Sequence, residues 1–134
     1  MRSFIVDTDV VSYIYKGDTR GGLYENHLRV SLSSISFMTL AELDLWAESH
    51  NWGEQRKAEL ALFLRRFAVI ESSRELCRMW ATVTDQVRRR GRKIQPGDAW
   101  IAATALLYSL PLVTHNAADF ADITGLAVIS EPDK

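Results

Sequence analysis

The sequence predicts an α/β fold in which short parallel strands alternate with helices. Short apolar runs, such as residues 4–6 and 112–114, have the length of buried strands. Between such runs lie longer segments, such as residues 73–90, in which apolar side chains recur at helical spacing. This alternation is typical of a parallel sheet covered by helices.

The individual elements follow from local patterns. Residues 30–37 alternate apolar side chains with serine, which is the period of a strand. Residues 98–109 are apolar nearly all round, which predicts a central, buried helix after a turn at Gln95-Pro96-Gly97. Residues 17–29 contain several glycines, and the pattern supports at most a short helix over 23–28. The predicted strands are 4–6, 30–37, 68–70, 112–114 and 126–129, and the other predicted helices are 8–15, 39–49, 54–67 and 73–90.

Composition limits the class of protein. A chain of 134 residues with 47% hydrophobic residues predicts one globular domain over residues 1–134. The net charge of −1 gives no overall field that would attract nucleic acid. The single Cys77 excludes an internal disulfide and fits a reducing compartment. No apolar run approaches the roughly 20 residues of a membrane span, and no secretory signal pattern begins the chain. We therefore expect a cytoplasmic protein without membrane association.

Four acidic residues stand where apolar segments begin or end. Asp7 follows the first predicted strand, Glu42 follows the second, Asp98 opens the central helix, and Asp119 follows the fourth strand. In a parallel α/β sheet, ligands bind beyond the carboxyl ends of the strands, so these acids are expected to share one edge. Clustered carboxylates repel one another, and a hard divalent cation such as Mg²⁺ or Mn²⁺ removes that conflict. The pattern predicts a metal-dependent enzyme that acts on phosphates.

Each acid also has a local structural interpretation, which stays open at this point. Asp7 is a favoured residue for capping the first helix. Thr39 and Glu42 match a capping box, in which the Thr and Glu side chains bind backbone N–H groups at a helix start. Asp98 suits the positive end of a helix dipole, and Asp119 suits a turn. Only the expected meeting of all four at one edge favours a shared site.

Four segments together resemble the PIN domain and, more closely, the VapC ribonuclease toxins of bacterial and archaeal toxin–antitoxin pairs. The resemblance covers nearly the whole chain, and successive acids are separated by 35, 56 and 21 residues. The segments are Phe4-Ile5-Val6-Asp7-Thr8-Asp9, Thr39-Leu40-Ala41-Glu42-Leu43, Asp98-Ala99-Trp100-Ile101-Ala102-Ala103-Thr104-Ala105 and Val113-Thr114-His115-Asn116-Ala117-Ala118-Asp119-Phe120.

The resemblance implies a fold and an activity. The fold would be a PIN-like three-layer α/β/α sandwich with a short, mainly parallel central sheet flanked by helices. The activity would be that of an Mg²⁺-dependent endoribonuclease, with Mn²⁺ as an alternative metal, whose cut leaves a 5′-phosphate and a 3′-hydroxyl. The implied partners are an RNA substrate, a VapB-like antitoxin and a second copy of the chain in a homodimer.

The resemblance also assigns roles to residues. Trp100 departs from the family pattern, which more usually has a smaller aliphatic residue there, and this concerns local packing. The implied catalytic residues are Asp7, Glu42, Asp98 and Asp119; the implied metal ligands are Asp7, Asp98 and Asp119; and the implied secondary site residues are Asp9, Thr114 and Asn116.

A basic run precedes Asp98. Arg88, Arg89, Arg90, Arg92 and Lys93 occupy five of six successive positions. Such a run either ends a helix in solvent, where cations suit the negative end of the dipole, or contacts RNA phosphates. Because it ends five residues before the predicted site, we expect RNA contact.

Two other functions compete with the nuclease. Asp7 and Asp9 also fit the start of haloacid-dehalogenase-type phosphatases, with Asp7 as the phosphorylated nucleophile and Asp9 as the acid/base. Only Lys93 is plausibly placed for the phosphate-binding lysine of that family, and the segment at Asp98 lacks the second acid. The other alternative is a PIN-like module that binds RNA or protein without cleaving it. For His115, beside the site, a structural or surface role is expected, and contact with RNA is the alternative.

Overall fold

A computed structural model of the chain describes residues 2–132 and contains five strands and six α-helices in that range. A short 3₁₀ helix, Ala117–Phe120, precedes the last strand. The strands are β1 (Arg2–Val6), β2 (Ser31–Ser36), β3 (Ala68–Ile70), β4 (Leu112–Val113) and β5 (Val128–Ile129). The helices are α1 (Thr8–Lys16), α2 (Thr19–Leu28), α3 (Phe37–Ser49), α4 (Glu54–Leu64), α5 (Arg74–Arg89) and α6 (Pro96–Leu107).

The five strands form one parallel sheet in the order β3-β2-β1-β4-β5. The chain runs outward from β1 through β2 to β3, and then returns to the other side of β1 to add β4 and β5. The predicted α/β fold is therefore confirmed. The reversal of strand order between β1 and β4 creates a switch point, where ligands bind in open parallel sheets.

Each face of the sheet is covered by helices. Successive side chains of a strand point to opposite faces, so Phe4 and Val6 enter one core and Ile5 enters the other. The first core lies mainly under α1 to α4, and the second lies under α5 and α6. Helix α6 is buried along most of its length, as its apolar composition predicts. Across residues 2–132, no helix is both long and apolar enough to cross a membrane.

Three helix starts differ from the sequence prediction. The turn predicted at 95–97 is wrong, because Pro96 and Gly97 belong to the first turn of α6, where proline's fixed φ is favourable. Helix α3 begins at Phe37, because Ser36 accepts the backbone N–H of Met38 and caps it. Helix α2 covers more of residues 17–29 than the short helix suggested by the pattern.

Helices α1 and α2 meet at a glycine. A Cβ placed on Gly21 would lie 2.9 Å from the backbone nitrogen of Ile14 and 2.9 Å from the carbonyl carbon of Tyr13. Backbone atoms cannot move aside as the end of a flexible side chain can. Gly21 therefore sets how closely α2 packs against α1, whereas its neighbour Gly22 has nothing within 4 Å of a Cβ.

We expect Gly21→Ala to lower the free energy of unfolding by about 1–3 kcal/mol, because the new methyl group overpacks a backbone contact. Gly22→Ala is the matched control and should raise the stability by about 0.5–1 kcal/mol, since alanine is the better residue inside a helix. Urea denaturation of the two variants measures both effects. Equal stabilisation by both substitutions would show that the helices separate without cost.

Candidate active site

Asp7 lies at the carboxyl end of β1, directly after the strand. Its backbone N–H donates to the carbonyl oxygen of Val113 at 2.8 Å, which joins it to the end of β4. The side chain is only 5% exposed. Its Oδ1 accepts the backbone N–H of Thr8 at 2.7 Å, and its Oδ2 accepts the hydroxyl of Thr114 at 2.7 Å. Asp7 is thus both the N-cap of α1 and a buried carboxylate held by β4.

Asp9 lies in the first turn of α1, beside the residues that follow β4. Its Oδ1 accepts the N–H of Val10 at 2.7 Å. Its Oδ2 accepts two donors at 3.0 Å, the backbone N–H of His115 and the side-chain amide of Asn116. The N–H of Asn116 donates in turn to the Thr114 hydroxyl at 3.1 Å. The 114–116 turn therefore supplies hydrogen-bond donors to both aspartates.

Glu42 reaches the same edge from α3. Its Oε1 lies 2.7 Å from the Thr8 hydroxyl, which is also 2.9 Å from the Thr39 hydroxyl. Thr8 has one hydroxyl proton, so donation to the carboxylate leaves Thr39 to donate to Thr8. On the other side, a Cβ on Gly97 would lie 3.0 Å from Glu42 Oε2. Glu42 is therefore enclosed between α1 and the start of α6.

The structure decides between two interpretations of Glu42. In a capping box, Thr39 would precede the helix and Glu42 would fold back onto its backbone. Ser36 occupies the N-cap instead, and Thr39 is a buried residue inside α3. The capping-box alternative is wrong, and the carboxylate points to Thr8.

Asp98 and Asp119 line a cleft of about 280 Å³. Asp98 lies in the first turn of α6, and Asp119 lies in the 3₁₀ helix after β4. Arg92 and Lys93, from the loop before α6, line the same cleft. Two predicted metal ligands and the end of the basic run thus face one space.

Burial raises the pKa of three carboxylates at this edge, Asp7, Asp9 and Asp98, and repulsion adds to the rise at Asp7 and Asp98. Burial raises the pKa of Asp7 well above its ordinary value, and Asp9 adds repulsion that the hydrogen bonds from Thr114 and Thr8 only partly offset. Burial is also the main cause of the raised pKa of Asp9. The pKa of Asp98 rises to about 6, first through burial and then through repulsion from three acids, Asp119, Glu42 and Asp9. Asp98 therefore lies within electrostatic reach of the other four acids.

The five acids are close without forming a finished ligand cage. Within the described part of the chain, no three acidic, histidine or cysteine side chains are arranged to hold a metal ion by themselves. Asp7 and Asp9 sit deeper, bound by the 114–116 turn, while Asp98 and Asp119 face the cleft. Carboxylate oxygens are nevertheless the donors that Mg²⁺ and Mn²⁺ prefer.

The basic run is divided between several roles. Arg89 pairs with Asp85 one turn earlier on α5, at 2.7 Å on the exposed surface. Arg90 donates to the carbonyl oxygen of Asp122 at 2.7 Å and to the hydroxyl of Thr124 at 2.9 Å, and so anchors the 122–124 loop. Arg92 pairs with the Asp122 carboxylate at 3.1 Å while it also lines the cleft, and Arg88 is exposed.

Two residues that shape the site, Thr8 and Gly97, are not acidic and so do not belong to the acidic pattern of the sequence. Thr8 orients Glu42, and Gly97 leaves room for it. Thr8 could have been suspected from its place between two site aspartates. The role of Gly97 depends on the approach of α6 to α3, which no local pattern reveals. Trp100, which departs from the family pattern, stacks on Trp80 with ring centroids 5.3 Å apart.

Without added metal, we expect the protein to lose stability as the pH rises from about 4 to about 7. The folded Asp98 carboxyl keeps its proton up to about pH 6, whereas the unfolded one releases it near 3.8, so the folded state binds more protons in this interval. Asp98→Asn should be more stable than the parent at pH 7 and show a shallower decline. Thermal melts in EDTA across this range measure the effect.

The control for this experiment is Asp44→Asn, which removes an exposed carboxylate from α3. It should leave the pH dependence unchanged. If Asp98→Asn loses stability with rising pH as steeply as the parent does, the pKa of Asp98 is not raised in the folded state.

Comparison with known proteins agrees with this arrangement. The PIN domain family matches residues 4–126. Ribonuclease VapC1 from Haemophilus influenzae is 28% identical over 127 residues, covering 92% of this chain and 93% of its own length. The tRNA(fMet)-specific endonuclease VapC from Shigella flexneri is 27% identical over 126 residues, covering 94% and 96%.

Solved structures match the fold over a similar share of the chain. The crystal structure of VapBC2 from Rickettsia felis, bound to a DNA fragment from its promoter, superimposes with a TM-score of 0.84 at 25% identity. The match covers 97% of this chain and 99% of that one. Because the PIN domain match spans most of the sequence and the predicted acids meet at the switch point of the matching fold, this chain belongs to the PIN domain family.

Proposed function

We propose that this protein is a divalent-metal-dependent endoribonuclease and the toxin of a VapBC-type toxin–antitoxin pair. The acidic cluster, Asp7, Asp9, Glu42, Asp98 and Asp119, carries the proposal. Its members lie at the switch point, burial raises the pKa of Asp7, Asp9 and Asp98, and repulsion adds to the rise at Asp7 and Asp98. The ribonuclease names and nearly full-length coverage of the relatives support the same activity.

The donor set fits Mg²⁺ or Mn²⁺. Mg²⁺ keeps several of its waters and binds through only one or two carboxylates, so a complete protein cage is not required. Asp7, Asp98 and Asp119 would hold the ion, and its charge would relieve their repulsion. When bound, the ion supplies an activated water and stabilises charge that develops on the scissile phosphate.

The chain itself fixes the carboxylates before any ion arrives. Thr114 and the Thr8 N–H hold both oxygens of Asp7, and Thr8 also holds Glu42 through its hydroxyl. Such donors favour the charged form of a carboxylate and limit its rotation. Their combined effect is to fix the orientation of the Asp7 and Glu42 carboxyl groups.

RNA must be held by local positive charge, since the whole chain carries a net charge of −1. Lys93 and Arg92 line the cleft beside Asp98 and Asp119, where they would contact phosphates on either side of the scissile bond. Arg88 is exposed at the end of α5 and could extend this path. Arg90 and Arg89 have other contacts and are weaker candidates.

The alternatives have less support. A phosphatase would need Asp7 as a free nucleophile, but Asp7 is buried with both oxygens hydrogen-bonded, and the chain belongs to the PIN domain family. A module that binds without cutting would not need every acidic position of the catalytic pattern. The proposed protein partners are a VapB-like antitoxin and a second copy of the chain.

Asp98→Asn should reduce RNA cleavage at least about 100-fold, which exceeds the usual loss for groups that only orient metal ligands. Because the same change is expected to stabilise the fold, lost activity cannot result from unfolding. Cleavage of a labelled RNA mixture, with Mg²⁺, with Mn²⁺ and in EDTA, measures the effect. Asp44→Asn should cut like the parent, and Asp98→Asn doing so would refute the proposal.

Replacing Arg92 and Lys93 with Gln should weaken RNA binding and flatten its dependence on salt. Each lost phosphate contact lowers the slope of log Kd against log salt by about 0.7 for single-stranded RNA. Arg89→Gln is the control, because Arg89 is paired with Asp85 away from the cleft. Filter binding between 50 and 200 mM salt, a range over which this slope is about linear, tests the expectation. A slope that matches the parent in the double variant would place the RNA elsewhere.

A further inference from the structure

Tyr24 on α2 is a completely buried polar side chain behind the site. Its hydroxyl lies 2.5 Å from Nδ1 of His115 and accepts the backbone N–H of Glu131 at 3.0 Å. The carbonyl oxygen of Thr114 is 3.3 Å away. A buried phenol needs such contacts, but none of them is needed to form α2 itself. Tyr24 therefore links α2 to the segments that follow β4 and β5.

His115 is held by several contacts. Its Nδ1 and the Tyr24 hydroxyl share a hydrogen bond in which the imidazole tautomer decides the donor. The imidazole also contacts Tyr13 and Tyr24 edge to face, with centroids 5.8 and 5.6 Å away. One hydrogen bond and two rings thus fix its orientation.

His115 is the middle residue of the 114–116 turn. That turn supplies the Thr114 hydroxyl to Asp7, and the His115 N–H and Asn116 amide to Asp9. It follows a strand of only two residues, and the sheet ladder holds only its first residue, where the Thr114 N–H donates to the carbonyl oxygen of Ile129 at 3.0 Å. Contacts outside the sheet must keep the donors of His115 and Asn116 in place.

We propose that Tyr24 is a positioning residue of the acidic cluster, because its hydroxyl holds the 114–116 turn in the geometry that orients Asp7 and Asp9. The inference rests on the proposed function, since its consequence is the affinity of the cluster for a divalent cation. The segment after β5 reinforces the arrangement. Glu131 pairs with Nε2 of His27, one turn after Tyr24 on α2, at 2.8 Å.

Tyr24→Phe removes the hydroxyl and keeps the ring. We expect it to weaken Mn²⁺ binding about fivefold to tenfold, near the lower end of the range for groups that orient metal ligands. Free Mn²⁺, followed by electron paramagnetic resonance during titration, measures affinity without depending on catalysis. Tyr15→Phe is the matched control and should bind as the parent does, because its ring packs against Trp46, Trp52 and Phe63 away from the 114–116 turn.

A second variant separates positioning from general stability. His115→Phe keeps an aromatic ring between Tyr13 and Tyr24 but removes Nδ1 and its hydrogen bond to Tyr24. If the two residues act through one hydrogen bond, each single change has a similar effect and the double variant binds Mn²⁺ no more weakly than either. Independent structural damage would instead add up.

The outcomes are decisive in each case. Additive losses, or Tyr24→Phe binding Mn²⁺ as tightly as Tyr15→Phe, would overturn the role of Tyr24. If Tyr24→Phe fails to fold, unchanged Mn²⁺ affinity in His115→Phe overturns it. A parent protein that neither binds Mn²⁺ nor cleaves RNA would overturn the proposed function itself, and the inference with it. A parent that does both leaves the comparison of variants to decide on Tyr24 alone.

Discussion

The arrangement of this protein depends on keeping several carboxylates together at a partly buried edge. Burial disfavours the charged form of a carboxyl group and raises the pKa of Asp7, Asp9 and Asp98, and repulsion between like charges adds to this cost at Asp7 and Asp98. The fold offsets part of it with hydroxyl and N–H donors from α1 and the 114–116 turn. The part of this cost that the hydrogen bonds do not offset would be relieved by a bound positive charge. This is the physical basis for proposing a divalent cation.

The order of the strands makes this concentration of charge feasible. Because β1 lies between β2 and β4, residues that follow all three strands can reach the same crevice. Asp7 comes directly from β1, Glu42 comes from the helix after β2, and Asp119 follows β4. Asp98 enters from the start of the buried helix α6, whose small side chains let it pack closely against the sheet. The strand order that builds the sheet therefore also brings the acidic residues to one crevice.

The sequence predicted what depends on position along one element, and failed where two distant elements meet. Asp7 had to lie at the edge, because it follows a buried strand of a parallel sheet. The contact of Thr8 with Glu42 joins residues 34 apart and could not be read from either segment. Helix α2 was underestimated because Gly21 and Gly22 weaken its intrinsic propensity, which packing against α1 overrides. The start of α6 was missed because Pro96 and Gly97 resemble a turn when viewed alone.

The long separation between Thr114 and Asp7 has a consequence for how the protein is made. These residues are 107 positions apart, and so are Tyr24 and Glu131. During synthesis the amino-terminal acids leave the ribosome long before β4 can pair with β1, and contacts at such separation form late. The cluster is completed only when the segment around residue 131 has been translated. A nascent chain would thus remain inactive beside the cell's own RNA until the segment around residue 131 had emerged from the ribosome.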